Sequence, residues 1–313
     1  MTDIFQPLLP PTRLDLFEFY KKARSCMWYE DEIVYLSDIP DYETINSSER
    51  HFIELILGFF AISDRIVLSN LIQNFIQEID IPEAKLFYNF QAIVEDIHSL
   101  TYTNHLITLV KTQDRLNQLI HSVENFPCIQ SKTSWALRYM NRDVPIAQRL
   151  IAFAIVEGVF FSASFCSIFW FKTQNKFVKG IGVSNEFISR DEALHCDFAC
   201  YLYKNYFSKV SKDLIIEMLR DAYDVESNFV NDLLSETFNS YGMNRNTMKQ
   251  YIQYVIDKLS LQLIDEKIFF VTNPFPFMMN LTLNSKTNFF EKRVTEYSKI
   301  SISSDSLLAL EDF

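Results

Sequence analysis

The stretch EDIHSLTY, residues 95–102, decides the fold of this chain. Glu95, His98 and Tyr102 are spaced by three and then four residues, so they share one face of a helix. The flanking sequence is apolar almost everywhere else, and this face is therefore expected to be buried. A carboxylate and an imidazole are costly to bury unless another group pairs with them. The stretch thus predicts a buried polar site inside a helical protein.

The same Glu-x-x-His pattern occurs a second time, at Glu192 and His195 in another long helical segment. Two further acids lie alone in apolar helical segments, Asp64 in LGFFAISDRIVLSNL and Glu157 within residues 150–171. Di-iron and di-manganese ferritin-like bundles place one glutamate on each of two helices and Glu-x-x-His on each of two others. Asp64 takes the place of one glutamate here, and the pattern predicts an all-α, ferritin-like bundle.

The residue types suit a site for two metal ions. Four carboxylates and two neutral imidazoles can hold two divalent cations with little residual charge, and both iron and manganese accept these ligands. Bound ions would also remove the cost of burying four acids. Each residue has an ordinary interpretation by itself, because a lone core histidine is usually satisfied and Glu157 could pair with Arg149 or Arg190. Taken together, six residues are predicted to be metal ligands: Asp64, Glu95, His98, Glu157, Glu192 and His195.

Composition excludes several other classes of function. The sequence has 313 residues, 48% of them hydrophobic, with 29 Phe and only 5 Gly, which is enough for a large core. Its net charge of −11 and its lack of a basic block argue against nucleic-acid binding. The five cysteines form no disulfide framework and are expected to be reduced thiols of a cytoplasmic protein. The N-terminal region has no signal-peptide pattern, which agrees with that location.

One segment resembles a membrane span, LIAFAIVEGVFFSASFCSIFWF at residues 150–171. Its length would suffice to cross a bilayer. Glu157 lies near its middle, however, and several serines follow. A helix that is apolar all round can equally be the central helix of a large protein core. We therefore expect a core helix and no membrane.

Helical periodicity covers nearly every long segment. Asn46 and Glu49 have the spacing of a capping box, Pro82 and Pro145 suit first helical turns, and Ser184 has the character of a cap. Residues 32–36 are expected to form a loop. The predicted helices are 14–27, 48–76, 82–112, 114–122, 131–140, 145–173, 184–208, 211–238 and 245–264.

Three more residues lie near the predicted ligands, and each has an ordinary interpretation as well as a functional one. Tyr102 follows His98 by one turn, and a buried tyrosine usually packs in the core. Trp28 ends an amphipathic helix, where a core role is the default. Asp191 precedes Glu192 and is either a surface acid or a partner of a ligand histidine.

The sequence resembles the small, radical-generating subunit of class I ribonucleotide reductase of the eukaryotic type. The resemblance covers about residues 13–313, and it implies a di-iron site on the six residues given above, with two Fe ions per protomer. Manganese is possible, because the sequence does not separate the two metals. The stretches that carry the resemblance are EDIHSLTY, VEGVFFSASFCSIFW, SNEFISRDEALHCDFAC, NPFPFMMN and KTNFFEKRVTEY.

The resemblance also implies roles for residues around the metals. Tyr102 would be oxidised to a stable radical when the reduced di-iron pair reacts with oxygen. An apolar pocket would shield that radical, and it maps onto Phe161, Phe165 and Ile188. The dryness of the pocket would protect the radical from quenching.

The family's path for proton-coupled electron transfer maps onto Trp28, Asp191 and His98, and it resumes at Tyr297. The oxidising equivalent would pass to a separate large subunit that reduces ribonucleotides to deoxyribonucleotides. Residues 1–285 are predicted to form the helical domain, and residues 286–313 a flexible tail that docks on the large subunit through its terminal ALEDF. The small subunit is expected to form a homodimer, or a heterodimer with a paralogue.

Two departures from the family pattern keep alternatives open. Arg65 follows Asp64 where many relatives have a small residue, and LQLIDEKIFF lacks a glycine that relatives often have. Arg65 need not enter the site, because adjacent helical residues differ by about 100° in direction, although it could alter the surroundings of the ligands. The protein is alternatively another di-metal oxidase or oxygenase, or a non-catalytic paralogue that stabilises a catalytic small subunit.

Overall fold

A computed structural model describes residues 11–234 and 243–278, without the side chains of residues 122 and 123. Within these ranges every regular element is a helix and no strand occurs, which confirms the all-α prediction. The helices are α1 (Leu14–Ser25), α2 (Ile39–Thr44), α3 (Ser47–Asn70), α4 (Ile76–Glu78), α5 (Pro82–Leu109), α6 (Gln113–Ile120), α7 (Ser122–Asn125), α8 (Pro127–Arg138), α9 (Ile146–Ile155), α10 (Ser162–Thr173), α11 (Ile181–Tyr206), α12 (Lys212–Leu233) and α13 (Arg245–Ile264).

The long helices pack side by side, and the most extensive pairing joins α3 to α5. α5 also packs against α1, and α11 packs along α9. The start of α3 is fixed by the predicted capping box, in which Asn46 Oδ1 accepts from the Glu49 N–H at 2.9 Å and Glu49 Oε2 accepts from the Asn46 N–H at 3.1 Å. The bundle so formed places the helices that carry the predicted ligands next to one another.

The predicted helix over residues 145–173 is interrupted. Pro145 lies just before α9, and the π segment Val156–Phe160 separates α9 from α10. A second π segment, Leu71–Phe75, lies between α3 and α4. Single π turns inside α-helices are often found at functional sites. Glu157, a predicted ligand, lies within the first of these segments.

The prediction that Ser184 caps a helix is wrong, because α11 begins three residues earlier, at Ile181. The carboxylate of Asp38 replaces such a cap: it accepts hydrogen bonds from the backbone N–H groups of Gly180, at 3.1 Å, and Ile181, at 2.6 Å. A Cβ on Gly180 would lie 2.1 Å from Asp38 Oδ2, so this position has no room for a side chain. Ser184 Oγ instead lies 2.9 Å from His105 Nε2.

Other differences from the predicted elements are small. The loop expected over residues 32–36 contains the end of one short 3₁₀ turn, Glu30–Glu32, and the start of another, Tyr35–Asp38. The short helices α2 and α7 had no periodic signal of their own. α8 begins at Pro127 rather than at residue 131, since proline suits the first helical position.

Within the part of the chain that the structure describes, two stretches of helix are long and apolar enough to cross a membrane, Ser47–Glu78 and Ile146–Thr173. In the second, 89% of the apolar window is buried inside the protein, and in the first 67%. Burial against other helices accounts for this composition, as expected for core helices. The absence of a membrane contact stays a prediction.

The chain divides into two compact units after Pro274. The first unit contains α1 to α13. In the second unit, residues 275–278 are described, and the rings of Phe275 and Phe277 lie 5.4 Å apart. The predicted boundary at residue 285 and the predicted tail at residues 286–313 lie outside the described residues, so both stay predictions.

Candidate metal centre

The six predicted ligands lie on α3, α5, the π segment Val156–Phe160 and α11. All six are buried in the middle of the bundle, and none is more than 3% exposed. These residues are Asp64, Glu95, His98, Glu157, Glu192 and His195. The packing of four helical segments therefore brings together acids and imidazoles that are far apart in the sequence.

Four of the six form one tight group of donor atoms. One donor atom each from Glu95, Glu157, Glu192 and His195 lies within 4.8 Å of all the others. His195 Nδ1 is 3.1 Å from Glu95 Oε1, 3.2 Å from Glu192 Oε2 and 3.7 Å from Glu157 Oε2. Oxygen and nitrogen donors at such separations can share one cation.

A second group forms around His98 on the other side of the same two glutamates. His98 Nδ1 lies 2.8 Å from Glu192 Oε1 and 3.4 Å from Glu95 Oε2. These three atoms nevertheless have no hydrogen-bond partner, because their approach does not have hydrogen-bond geometry. Buried polar atoms that come close without bonding to one another need another explanation, and a shared cation supplies it. Glu95 and Glu192 thus face both histidines.

Asp64 completes the set from α3. Both of its carboxylate oxygens are buried and have no hydrogen-bond partner. Burial raises the pKa of Asp64 well above its usual value, and the strongest opposing charge effect comes from His98. Asp64 lies outside the tight group of four. A buried carboxylate in this state requires a proton or a cation.

The buried acids and histidines of the cluster compete for protons. Burial raises the pKa of Glu157 well above normal. Burial would also raise the pKa of Glu192, but its contacts with Glu157, His195 and His98 outweigh burial and lower it. Burial would lower the pKa of both histidines, yet the adjacent carboxylates raise it. Two divalent cations would balance the four carboxylates and relieve this competition for protons, so the donor set fits a two-metal site.

Gln91 contacts two of the predicted ligands and was not identified in the sequence analysis. Its Nε2 donates to Glu95 Oε1 at 3.0 Å and to Glu157 Oε1 at 3.2 Å, so it links ligands from two helices. Such contacts orient metal ligands. The available signal was its position four residues before Glu95 on the same buried face of α5.

Tyr102 lies beside this cluster and is 1% exposed. Its hydroxyl has no hydrogen-bond partner. Burial raises the pKa of the phenol well above normal, and Asp64 is the neighbouring charge with the largest effect. The ring of Tyr102 stacks on Phe60, with centroids 4.5 Å apart and planes inclined by 8°. The structure therefore holds a neutral, isolated phenol in an apolar pocket.

The three residues predicted to line the pocket are all buried, and two of them pack on Phe60, the ring that stacks on Tyr102. The rings of Phe161 and Phe165 contact Phe60, at centroid distances of 5.5 and 4.8 Å. Ile188 is 1% exposed on α11. Phe60 itself was not among the predicted pocket residues, although it precedes Asp64 by four residues and shares its face of α3. The structure thus places Phe60 between Tyr102 and the two predicted phenylalanines.

Trp28, Asp191 and His98 form a connected set. Trp28 Nε1 donates to Asp191 Oδ2 at 2.8 Å, and the same oxygen lies 3.3 Å from His98 Nε2. Burial would raise the pKa of Asp191, but Arg190 and His98 lower it, so the carboxylate is ionised. An ionised Asp191 favours the His98 tautomer with its proton on Nε2, which leaves Nδ1 free to face the cluster.

Arg65 does not reach the centre. Its side chain is 64% exposed, and it pairs with Asp96 at 3.2 Å between Nη1 and Oδ1. Cys196 and Cys200 are buried free thiols, as expected of core residues. Tyr297 and the terminal ALEDF lie outside the described residues.

Comparisons with known proteins agree with this geometry. The family described as "Ribonucleotide reductase, small chain" matches residues 8–274. The ribonucleoside-diphosphate reductase small subunit of Plasmodium falciparum (isolate FCR-3 / Gambia) is 45% identical over 298 residues, covering 95% of this sequence and 91% of that protein. The small subunit of the same enzyme from Dictyostelium discoideum is 44% identical over 296 residues, covering 94% of this sequence and 87% of that protein.

A solved structure extends the comparison to the fold. The ribonucleotide reductase Rnr4 homodimer from Saccharomyces cerevisiae has a TM-score of 0.79 and 29% identity, covering 93% of this sequence and 89% of the matched protomer. The family match spans most of the sequence, and it includes both Glu-x-x-His motifs and both isolated acids. The protein therefore belongs to the ribonucleotide reductase small-chain family.

Proposed function

We propose that this protein is the radical-generating small subunit of a ribonucleoside-diphosphate reductase. One observation carries the proposal: Tyr102, with its unpartnered hydroxyl, is buried beside a carboxylate and imidazole cluster that is joined to Trp28 through Asp191. Neither a metal-storage protein nor an oxygenase needs an isolated phenol together with a hydrogen-bonded tryptophan. The relatives named as small subunits of this reductase support the same conclusion.

The ligands would hold two metal ions, each next to one histidine. Asp64 and His98 belong to one position, Glu157 and His195 to the other, and two glutamates, Glu95 and Glu192, face both. Two iron ions held there would supply the oxygen-dependent one-electron oxidation of Tyr102, and manganese is the alternative metal.

The protein's own contribution to radical formation is a dry, apolar setting. The raised pKa of Tyr102 keeps the phenolic proton on Oη until the electron leaves. Phe60 covers one face of the ring, and the predicted pocket residues Phe161, Phe165 and Ile188 would exclude water and small reductants behind it. A radical that no donor can reach would persist.

The oxidising equivalent would leave through His98, Asp191 and Trp28. Hydrogen-bond distances of 2.8 and 3.3 Å join the three groups, so a proton and an electron can move along one connected set. We propose that Tyr297 continues this path and that residues 286–313, ending in ALEDF, dock on the large subunit. Ribonucleotide reduction would take place on that partner, in the cytoplasm.

A dimer is supported by an apolar stripe on α5. Ile93, Leu100 and Ile107 recur every seven residues and are 54%, 49% and 58% exposed. Residues seven apart lie on one face of a helix, so the stripe fits a second copy of this protein or a paralogue. Sedimentation velocity of Leu100→Glu tests this surface, since a charge in the stripe is expected to yield monomers.

Electron paramagnetic resonance tests the proposed function. Metal-free protein is loaded anaerobically with ferrous iron, oxygen is admitted, and the spectrum is recorded with a parallel iron count. We expect a tyrosyl signal and about two irons per protomer, the capacity of a six-ligand site. Bound iron without the radical would point to an oxidase or oxygenase, or to a manganese-dependent site. Failure to bind metal would favour the non-catalytic paralogue.

A further inference from the structure

A buried ion pair lies outside the metal centre, between α8 and α12. Lys132 Nζ is 2.7 Å from Glu226 Oε2, and the two side chains are 2% and 0% exposed. The ammonium group also lies 3.5 Å from the ring centroid of Phe229 and 4.1 Å from that of Phe59. These contacts enclose the charge completely, so no solvent stabilises it.

Stability alone does not explain such a pair. Burial lowers the pKa of Lys132 and raises the pKa of Glu226 to about 7, which shows that each charge is costly in this place. Replacing a buried ion pair by apolar residues of similar volume is often neutral or stabilising. A role that apolar residues could not fill is therefore indicated.

Lys132 makes one contact that an apolar residue could not make. Its Nζ donates a hydrogen bond of 2.7 Å to the backbone carbonyl oxygen of Phe160. Phe160 is the last residue of the π segment that begins at Val156, and this segment carries Glu157. A π turn is rare in helices, so it benefits from support outside its own backbone.

We infer that Lys132 is a positioning residue for Glu157, acting through the π segment, and that Glu226 keeps Lys132 charged and aimed at the Phe160 carbonyl. This inference rests on the proposed metal site. The lysine holds the end of the π segment from α8, while Gln91 holds the carboxylate of Glu157 from α5. The two contacts together fix the segment and the side chain of the same ligand.

The test uses the full-length variant Lys132→Met/Glu226→Leu. The double substitution leaves no buried charge behind, so the protein is expected to fold and to keep its melting temperature. The matched control is Arg149→Met/Glu78→Gln. It removes another ion pair, with 2.8 Å between Arg149 Nη1 on α9 and Glu78 Oε1 on α4, and it leaves the hydrogen bond from Lys132 to Phe160 in place.

Two readouts distinguish positioning from general stability. In the metal-free proteins, amide hydrogen exchange of residues 156–160 should be about 10-fold faster in the Lys132 variant than in the wild type or the control. In anaerobic titrations with Mn²⁺, the affinity for one of the two ions should fall about 10- to 100-fold, as is typical when a ligand's support is removed.

Both changes are required. If the Lys132 variant has the amide exchange rate or the Mn²⁺ affinity of the wild type, the inference is wrong. The proposed function is then left intact. If the wild type binds two Mn²⁺ ions and the variant binds one of them more weakly, the inference and the proposed metal site are both supported. A wild-type protein that binds fewer than two ions would refute the metal site itself, and the positioning role would fail with it.

Discussion

The indole N–H of Trp28 donates a 2.8 Å hydrogen bond to Asp191, although 163 positions separate the two residues in the sequence. Asp191 Oδ2 serves both Trp28 and His98, whereas Oδ1 accepts from Arg190 at 3.0 Å. Both oxygens are thus committed, and one carboxylate orients an indole and an imidazole together. Arg190 also bonds the carbonyl of Cys26, at 2.8 Å, which ties the segment before Trp28 to α11.

Asp191→Asn is expected to separate radical formation from radical transfer. The amide has one acceptor oxygen, so it cannot accept from both Trp28 and Arg190 and also stabilise the Nε2–H tautomer of His98. We expect the tyrosyl signal to persist and nucleotide reduction with the large subunit to fall by about 100-fold or more. Spectra and turnover are measured on the same preparation. Asp197→Asn, on the same helix, is the control, and full turnover in Asp191→Asn would contradict the proposed path.

Tyr102→Phe should abolish the radical without harming the fold. The hydroxyl has no hydrogen-bond partner, so removing it leaves no orphaned group and should change the free energy of unfolding by less than about 1 kcal/mol. Metal content and thermal unfolding are measured beside the spectrum. Tyr88→Phe is a matched control, because Tyr88 is also fully buried with an unpartnered hydroxyl. Loss of the radical in the control, or reductase activity in Tyr102→Phe, would refute the assignment.

Phe60→Leu should shorten the life of the radical. Leucine cannot cover the face of Tyr102 as the stacked ring does, and the cavity should lower the free energy of unfolding by about 1–3 kcal/mol. The decay of the tyrosyl signal is followed after a small reductant is added. Phe75→Leu removes another fully buried ring, one that stacks on Tyr88, and should cost similar stability while the radical persists. Equal decay rates in the two variants would show that Phe60 has no shielding role.

Asp38→Asn should remove one component of the pH dependence of stability. Burial raises the pKa of Asp38 from 3.8 to about 6. A group with a raised folded-state pKa contributes stability below its unfolded pKa, and this contribution is lost as the pH rises through the folded pKa. Between pH 3 and 7 the wild type should therefore lose about 3 kcal/mol that the variant does not lose. Denaturant unfolding across this range measures the difference, and parallel profiles would contradict the prediction.

Deletion of residues 307–313 should leave the metal centre intact and prevent docking. These residues end in ALEDF and include none of the six ligands. We expect unchanged iron content and tyrosyl signal, with no measurable association with the large subunit in a binding assay. Unchanged association would show that the large subunit binds elsewhere on the protein.

The helical fold was predictable where local signals were strong. α13 spans Arg245–Ile264, the predicted range, and α3 begins at the predicted capping box. The buried cluster of acids and histidines was predictable because two Glu-x-x-His motifs and two isolated acids stand out in apolar helices. Their burial and convergence then followed from bundle packing.

The remaining features depend on contacts between distant segments. Ser184 was misassigned as a cap because Asp38, more than 140 residues away, caps α11 in its place. The stacking of Phe60 on Tyr102 and the approach of Lys132 to the Phe160 carbonyl join separate helices, so no local pattern indicates them. The π segment Val156–Phe160 could not be predicted from the sequence for another reason, since its residues have the same apolar character as those of an ordinary core helix.

The π segment Val156–Phe160 also changes the direction in which side chains point around the axis of the helical stretch from Ile146 to Thr173. The residues before it and those after it therefore face different directions. The segment holds one residue more per turn, so everything after Phe160 is rotated by about 100° from the course of an unbroken α-helix. The π segment itself places Glu157 in the cluster of acids and histidines, and the residues after it place Phe161 and Phe165 against Phe60. A one-residue deletion within 156–160 would turn all of α10 at once, whereas a substitution alters one side chain. The number of residues in this segment is therefore constrained as strictly as the identity of its glutamate.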